Sequence, residues 1–194
     1  MARSEFERRY GLRPDLKKAE LVEGVVHVSS PARDPHGTAT AFAVAWLATY
    51  KARHANVAVS DNGTVRLSGD IEVQPDALLR LLPESGGQAV VDDDGFVVGA
   101  PELVVEVAYS SAPRDLNAKK RTYERAGVRE YIVWRLEDAV IDWFALSDGA
   151  FVARAPDDEG MMESEVFPGL RLDVRALLAG DLARVIQVVG GAQG

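Results

Sequence analysis

The sequence predicts an α/β protein with a mixed β-sheet flanked by helices. A strand, a helix and a second strand follow one another in the middle of the chain, as "ELVVEVAYS" (102–110), "APRDLNAKKRTYERAG" (112–127) and "REYIVWRL" (129–136). Segments with the alternation of strands, separated by short polar turns, lie on both sides of this unit. A strand–helix–strand unit among antiparallel strands is typical of a mixed sheet.

The first quarter of the chain predicts a short helix, a strand pair and a long helix. "SEFERRYG" is amphipathic, and "AELVEGVVHVSS" has β-branched residues on both sides of Gly24, which indicates two short strands or a bent hairpin. "DPHGTATAFAVAWLATYKARH" predicts a helix that Asp34 caps and that carries Pro35 in its first turn. Aromatic residues recur every four positions along this helix.

The segment before the central unit predicts further strands. "NVAVS" and "TVRLS" indicate two strands, with "DNG" between them as a tight turn. "DIEVQPDALLRLLP" indicates a strand with an edge or a bulge at Pro75, because proline has no N–H group to donate. Residues 84–100 are rich in Gly and Asp and predict a loop that contains a small hairpin.

The segment after the central helix predicts strands and then a short helix. Gly127 is a suitable C-terminal stop for the central helix. "AVIDWFAL" and "AFVARA" indicate two strands, and "FPGLRLDVRALLAG" indicates a short strand and a short helix. A length of 194 residues suits one domain, so we expect residues 1–194 to form a single domain.

Composition restricts the function classes. The chain has no cysteine, which excludes disulfides and thiolate metal sites. A net charge of −8 disfavours a protein that coats nucleic acid, although residues 114–129 are locally basic. No apolar run is as long as a membrane span, and the start "MARSEFERRYGLRPDLKK" is too charged for a signal peptide, so we expect a cytoplasmic protein with no membrane partner.

Glu106 is a carboxylate inside an apolar strand. Strict alternation places it on one face with Val104 and Ala108. A buried carboxylate without a partner is strongly disfavoured, so Glu106 needs a cation, a hydrogen-bond donor or a metal ion.

Other polar residues could meet Glu106. Asp115, Lys119 and Tyr123 are four residues apart and form one stripe on the predicted helix. If this helix packs back against the strand that precedes it, Lys119 can approach Glu106. A bulge at Pro75 could direct Asp76 into the same site.

Two carboxylates at strand ends and one lysine suit phosphodiester cleavage. Carboxylate oxygens bind Mg²⁺ or Mn²⁺. The metal can activate a water molecule and neutralise charge in the transition state. The lysine can position the water or stabilise the same charge.

Four segments of the chain resemble one known family in order and spacing. They are "QPD" (74–76), "PELVVEVAYSS" (101–111), "DLNAKKRTY" (115–123) and "GVREYIVW" (127–134). The chain resembles the Uma family of restriction-endonuclease-like proteins, within the PD-(D/E)XK nuclease superfamily, over about residues 5–180. The resemblance implies a restriction-endonuclease-like fold, Mg²⁺- or Mn²⁺-dependent cleavage of DNA and, by analogy with nucleases that cut both strands, a homodimer.

The resemblance also implies site residues. Asp76 and Glu106 match the two acidic positions of the superfamily and are the expected metal ligands and catalytic residues, and the Val107 carbonyl is expected to complete the metal shell. Ala108 stands where the superfamily has its lysine, and Lys119 takes the place that the lysine has in this family. Glu20 matches an acidic position near the family's N-terminus and is a further candidate ligand.

Other interpretations of these residues stay open from the sequence. Glu106 could pair with an arginine such as Arg121 or Arg125. Asp115 and Lys119 could form an ordinary salt bridge on the helix surface, worth about 0.3–0.5 kcal/mol.

Three further interpretations concern residues beside the proposed site. Asp115 could also cap the helix or support the site from behind. Tyr123 could be a packing residue, and His36 could make a first-turn hydrogen bond or line a pocket. The whole protein could be a catalytically inactive module that binds nucleic acid or protein, or an enzyme that uses the same carboxylates on another substrate.

Overall fold

The computed structural model of the protein describes residues 1–190. Within that range the strands form two six-stranded sheets and one two-stranded sheet. That residues 1–194 form a single domain stays a prediction, and residues 191–194 of that range lie outside the described residues.

The first six-stranded sheet, sheet 1, is built from short strands of the N-terminal half. They are β1 (Ala19–Val22), β2 (Val25–Val28), β4 (Val65–Ser68), β5 (Ile71–Val73), β7 (Val90–Val91) and β8 (Val97–Val98), whereas β3 (Val57–Asp61) belongs to the second sheet. Their spatial order is β2-β1-β5-β4-β8-β7, and β4 and β8 are parallel. The predicted hairpin around Gly24 and the small hairpin within residues 84–100 are both present, as β1–β2 and β7–β8.

The second six-stranded sheet, sheet 2, contains the central unit. Besides β3 its strands are β6 (Ala77–Leu81), β9 (Leu103–Ala108), β10 (Glu130–Arg135), β11 (Val140–Ser147) and β12 (Ala150–Arg154). They lie in the order β12-β11-β10-β9-β6-β3. β9 and β10 are parallel and the other pairs are antiparallel, so the prediction of an α/β fold with a mixed sheet is confirmed.

The helices cover both faces of sheet 2, and the C-terminal segment adds a small hairpin. The helices are α1 (Arg3–Tyr10), α2 (Asp34–Lys51), α3 (Ala112–Arg114), α4 (Lys120–Ala126), α5 (Val174–Leu178) and α6 (Leu182–Val188). The hairpin pairs β13 (Met161–Glu163) with β14 (Arg171–Asp173). β13 and α6 are elements that the sequence did not predict. In residues 1–190 no helix combines the length and the apolar character needed to cross a membrane.

Strand β9 lies at the centre of the core, with all six of its residues buried. Val105 belongs to an apolar cluster with Trp46 and Leu47 of α2. Val104 belongs to a second cluster, on the opposite face, with Tyr123 of α4. The predicted alternation along this strand is therefore confirmed, and Glu106 belongs by that alternation to the face of Val104.

The "DNG" segment does not close a hairpin between its two flanking strands. β3 pairs with β6 in sheet 2, whereas β4 pairs with β5 in sheet 1, so the chain crosses between the sheets at Asn62. Asn62 has φ 51°, in the left-handed region that asparagine tolerates better than most residues. A turn signal marks where a strand ends, but the partner of the next strand depends on which apolar surface buries it.

The chain crosses back between the sheets at Pro75. The predicted single strand is two strands, β5 in sheet 1 and β6 in sheet 2, separated by residues 74–76. Proline ends the first strand because it cannot donate a ladder hydrogen bond. Glu72 and Asp76 consequently do not share a face of one strand, and they have different partners.

The predicted cap of the long helix is wrong by one position. Arg33 is the residue that precedes the first helical turn of α2, and Asp34 lies inside that turn, where a negative charge is favourable. The predicted stop of the central helix is correct, since Gly127 has φ 85°.

The central helix contains a π-helical turn from Asp115 to Lys119, between α3 and α4. This wide turn was not predicted by the regular stripe of Asp115, Lys119 and Tyr123. π-Turns inside α-helices are uncommon and occur often at functional sites. Tyr131 donates a hydrogen bond of 3.0 Å to the Asp115 carbonyl, which supplies a partner for a backbone group at this irregular turn.

Glu72 is a buried acid of β5 that lies beside Arg66, the residue that links sheet 1 to α1. Arg66 lies 2.9 Å from Glu7 of α1 and 3.5 Å from Glu72 of β5. Burial, and then the hydrogen bond with Glu7, raise the pKa of Glu72 to about 7. Glu72 is therefore protonated in the folded protein at a pH where it is ionised in the unfolded chain.

We expect Glu72→Gln to stabilise the protein at pH 8 and to leave its stability at pH 4.5 nearly unchanged. A folded-state pKa above the unfolded value gives stability that is complete below about pH 4.5 and is lost as the pH rises through about 7. Glutamine stays neutral, so the variant should gain about 2 kcal/mol at pH 8. Urea unfolding at both pH values measures this, with the exposed Glu84→Gln as the matched control. An equal pH dependence in Glu72→Gln and the wild type would contradict the expectation.

Candidate active site

Glu106 and Asp76 meet near the C-terminal end of β9. Glu106 is the third residue from the end of β9, and its neighbour across the parallel ladder is Val133 of β10. Asp76 directly precedes β6, the neighbour of β9 on its other side. The break at Pro75 thus brings Asp76 next to β9, the strand that carries Glu106. The sequence had predicted that these two carboxylates could converge.

Glu106 is held by two side chains of the central helix. Lys119 Nζ lies 2.6 Å from Glu106 Oε1, and Tyr123 donates its hydroxyl to the same oxygen at 2.8 Å. The helix therefore packs back against the strand that precedes it, and Lys119 reaches Glu106. Tyr123 is a buried packing residue, as one interpretation of the sequence had it, and its hydroxyl also donates a hydrogen bond to the carboxylate.

The alternative arginine partners of Glu106 lie elsewhere. Arg121 and Arg125 extend along the exposed side of the helix, where both pair with Glu23. Since Glu106 is only 3% exposed, its charge depends on the buried Lys119.

Lys119 joins the two sheets through a pair of carboxylates. Its amine also lies 2.8 Å from Oε1 of Glu20, which β1 of sheet 1 contributes. Lys119 and Glu20 are both 0% exposed. The Gln74 backbone N–H donates to Glu20 Oε1 at 2.9 Å. Glu20 is thus part of the arrangement from a position 99 residues away from Lys119 in the chain.

The neighbouring carboxylates keep the Lys119 amine protonated. Burial by itself lowers the pKa of Lys119. Glu106 and Glu20 outweigh burial and raise that pKa above its ordinary range. For Glu20, burial raises the pKa, but Lys119 outweighs burial and the pKa of Glu20 is lowered. Lys119 and Glu20 therefore form a stable buried ion pair.

Glu106 is the carboxyl that the excess negative charge of the site makes easier to protonate. Burial raises its pKa, and Lys119 acts in the opposite direction. The carboxylates of Asp76, Asp115 and Glu20 raise it further, and the resulting pKa is about 8. More carboxylates surround the buried amine than one positive charge can balance, so the site favours an added proton or an added cation.

Asp76 is held on both of its oxygens. Oδ1 accepts a hydrogen bond from Lys18 Nζ at 3.0 Å. Oδ2 accepts the Val107 backbone N–H at 2.9 Å and lies 3.3 Å from His36 Nε2. Burial raises the pKa of Asp76, but His36, Lys18 and the Val107 N–H outweigh burial and lower it well below its ordinary range.

His36 lies at the N-terminal end of α2. Its Nε2 faces Asp76, and its Nδ1 is 3.5 Å from Thr40 Oγ1 one turn further along the helix. The hydrogen bond with Asp76 raises the pKa of His36, and burial acts against it. Both predicted interpretations thus apply, because His36 makes a contact within the helix and also borders the site.

Asp115 does not form a surface salt bridge with Lys119, because both side chains are buried. Burial raises the pKa of Asp115, while Lys119 and a hydrogen bond with Ser111 lower it, and the net shift is upward. Asp115 belongs to the π-turn and caps no helix. Its side chain is buried next to Lys119, and Arg114 Nε lies 3.7 Å from its Oδ1.

A cleft of about 1600 Å³ opens beside these residues. Its wall carries the side chains or backbone of Lys18, His36, Asp76, Glu106, Val107 and Arg114. Lys119, Glu20, Asp115 and Tyr123 are buried behind that wall. The predicted residues thus fall into a group that faces the cleft and a group that is buried in the core, and of the buried group Lys119 and Tyr123 contact Glu106.

The chain matches the model of the Uma2 family, described as "Putative restriction endonuclease", over residues 3–175. It belongs to this family. A search of curated proteins found no match.

A solved structure agrees with this fold. It is described as the crystal structure of "a putative nuclease belonging to DUF820 from Anabaena variabilis ATCC 29413" and matches with a TM-score of 0.68 at 11% identity, over 83% of this chain and 89% of that one. This structure and the family match confirm the predicted restriction-endonuclease-like fold. The type IIG restriction endonuclease BpuSI is a weaker match, with a TM-score of 0.40 at 14% identity, over 80% of this chain and 16% of that one.

Ala108 occupies the position, two residues after Glu106, where the family resemblance led us to look for a lysine. The Ala108 side chain is 1% exposed and belongs to the apolar cluster of Val104 and Tyr123. The lysine that contacts Glu106 is Lys119, which comes from the central helix.

Sequence reasoning missed two cations of the Uma2 site. Lys18 contacts Asp76, and Arg114 Nη2 lies 3.7 Å from Glu20 Oε2. Strand alternation was the available signal for Lys18, because residues 18 and 20 share a face if β1 is extended backwards by one residue.

Two carboxylates of the site, Asp76 and Glu106, reach the cleft wall, and carboxylate oxygens are ligands of divalent cations. In residues 1–190 no three acidic, histidine or cysteine side chains are grouped closely enough to hold a metal ion by themselves. Val107 donates its N–H toward Asp76, and its carbonyl points to the same edge of β9 because both groups of a strand residue do. Both contacts described for the Glu106 carboxylate fall on Oε1, and these oxygen donors suit Mg²⁺ or Mn²⁺.

Proposed function

We propose that the protein is a Mg²⁺-dependent nuclease that hydrolyses phosphodiester bonds of DNA. One observation carries the proposal: Asp76 and Glu106 reach the wall of one cleft from two strands, and a fully buried lysine holds Glu106 from behind. Membership of a family described as restriction endonucleases supports the nuclease class.

The metal would be held by Asp76, Glu106 and the Val107 carbonyl. A divalent cation there would act as a Lewis acid on water and on the phosphate group. The pKa of about 8 at Glu106 supports this position, because a site with excess negative charge gains most from a cation.

Lys119 would act through Glu106. Its amine contacts Glu106 and Glu20 and has no exposed surface, so it fixes the orientation of the Glu106 carboxylate and favours its ionised form. Tyr123 fixes the same oxygen by its hydroxyl. Glu20 and Asp115 would keep Lys119 charged, since both raise its pKa. His36 and the Val107 N–H would orient Asp76.

The reaction would be a hydrolysis. A water oxygen forms a bond to phosphorus while one P–O ester bond breaks. The water loses a proton and the departing oxygen gains one, so the products are a phosphate monoester and an alcohol. The side chains that face the cleft hold the phosphate and the metal in place, and positioning of this kind supplies much of the catalysis of phosphoryl transfer.

The substrate would be DNA, gripped by local positive charge. The chain carries a net charge of −8, but Arg33 and Arg114 line the cleft beside the two carboxylates. Neutralisation of backbone phosphates by such residues makes binding weaken with salt. We also propose a homodimer for cleavage of both strands, since two symmetric copies would present two sites to one duplex.

We expect DNA cleavage only in the presence of a divalent cation. The purified full chain should convert supercoiled plasmid to nicked or linear forms with Mg²⁺ or Mn²⁺, stop in EDTA and resume when excess metal is added. Calorimetry should detect Mn²⁺ binding that Asp76→Asn weakens at least tenfold, because the variant loses a charged oxygen ligand.

The alternative, an inactive binding module, has a distinct outcome. Such a protein would bind plasmid and show no cleavage with any of Mg²⁺, Mn²⁺ and Co²⁺. Parallel assays on RNA and on small phosphate diesters separate a nuclease for DNA from an enzyme with another substrate.

A further inference from the structure

Lys18 is the lysine of the site that reaches the cleft. Its backbone carbonyl accepts the Ser29 N–H at 3.0 Å, which anchors it at the start of the β1–β2 hairpin. Its amine contacts Asp76 Oδ1 at 3.0 Å and Asn62 Oδ1 at 3.1 Å. The side chain is 22% exposed and lines the cleft wall.

Lys119, in contrast to Lys18, does not reach the cleft. It is 0% exposed, and its amine is bound between Glu106 and Glu20. To touch a substrate in the cleft, Lys119 would have to break two buried ion pairs, and separating buried charges from their partners costs several kcal/mol. Lys18 needs no such rearrangement, because part of its side chain already faces the cleft.

Asp76 and Asn62 place the Lys18 amine beside the carboxylate that would hold the metal. Asp76 is fixed on its other oxygen by the Val107 N–H, so the Lys18 contact does not have to orient it. Asn62 occupies the "DNG" crossing between the two sheets, and its amide also donates to Asp61 at 2.7 Å. A lysine ammonium has three donors, so with contacts to Asp76 and Asn62 one donor is left for a further oxygen atom.

We propose that Lys18 is a catalytic residue that donates to a non-bridging oxygen of the phosphate being cleaved. The inference rests on the proposed nuclease function and adds a residue that faces the substrate. As water adds to phosphorus and the ester bond breaks, negative charge grows on the non-bridging oxygens. The Lys18 ammonium stabilises this charge and keeps its proton throughout, while Lys119 remains a positioning residue.

The test compares Lys18→Gln and Lys18→Arg with Lys51→Gln in the full chain. Lys51→Gln makes the same chemical change at the end of α2, at a residue that does not line the cleft. The readouts are the single-turnover rate of plasmid cleavage with Mg²⁺ at saturating protein, the Mn²⁺ affinity by calorimetry and the midpoint of thermal unfolding.

We expect Lys18→Gln to lower the single-turnover rate by about 10²–10³-fold, as the loss of one preorganised donor does in other enzymes. Its Mn²⁺ affinity should not fall, because the variant removes a positive charge beside Asp76, and its thermal midpoint should stay close to that of the wild type. Lys18→Arg should recover at least a tenfold part of the loss, and Lys51→Gln should keep the wild-type rate.

Three results would overturn the proposal. Lys18→Gln that cleaves at the wild-type rate and binds Mn²⁺ more tightly would mean that Lys18 only stands where the metal binds. Lys18→Gln that loses rate, metal affinity and thermal stability together would mean a structural role. A wild type that cleaves no DNA with any divalent metal would overturn the proposed function itself, which separates that failure from a failure of Lys18 alone.

Discussion

Glu106→Gln should abolish metal-dependent DNA cleavage while the protein stays folded. Glutamine has nearly the same shape and can still accept from Tyr123 and Lys119 through its oxygen. It removes the charge that a metal ion would need, so we expect the cleavage rate to fall by at least about 10³-fold. The fold should tolerate the change at pH 7, because a carboxyl with a pKa of about 8 is largely protonated there when no metal is bound.

The matched control is Glu84→Gln, which makes the same chemical change at an exposed position away from the cleft. It should cleave DNA at the wild-type rate. Plasmid cleavage with Mg²⁺ and circular dichroism of each variant provide the two readouts. Cleavage by Glu106→Gln at the rate of the control would remove Glu106 from the metal site and leave the proposed mechanism without its central residue.

Lys119→Met should cost more folding stability than any other single change at the site. It removes the amine that lies between Glu20 and Glu106 in the core. Removing one partner of a buried ion pair costs about 3–5 kcal/mol, which is a large part of the stability of an ordinary domain. Urea unfolding at pH 7 should show a much lower midpoint.

Two comparisons make this result specific to charge. Lys120→Met changes the next residue, whose amine lies 3.8 Å from the centre of the Phe144 ring, and should cost about 1 kcal/mol or less. The triple variant Lys119→Met, Glu20→Gln and Glu106→Gln should regain part of the loss, because it leaves no buried charge without a partner. If Lys119→Met were as stable as Lys120→Met, Lys119 could not be the residue that neutralises the core carboxylates.

Most helices and strands could be predicted from local patterns. The alternation in "ELVVEVAYS" gave the two faces of β9, and Gly127 gave the end of the central helix. The pairing of the strands could not be predicted in the same way. "DNG" is a hairpin signal, yet β3 and β4 lie in different sheets, because the choice of sheet depends on which distant apolar surfaces bury each strand.

In the candidate site, too, local patterns predicted some residues, and contacts between distant parts of the chain decided the others. The stripe of Asp115, Lys119 and Tyr123 and the odd carboxylate Glu106 were visible in the sequence, and their contact followed from a strand and a helix that are neighbours in the chain. Lys18 was not visible as a site residue. It meets Asp76 across 58 residues, and a pattern with a period of two specifies a face of a strand without its partner.

The sequence by itself determined most of the elements, the family and the residues able to do chemistry, because periodicity and residue type act over short distances. Only the tertiary structure decided which lysine is buried and which lines the cleft. Packing of sheet 1 against sheet 2 buries Lys119 between Glu20 and Glu106 and leaves Lys18 on the cleft wall. Burial is a property of the assembled sheets, so the difference between a lysine that holds a carboxylate and one that can reach a substrate appears only when they meet.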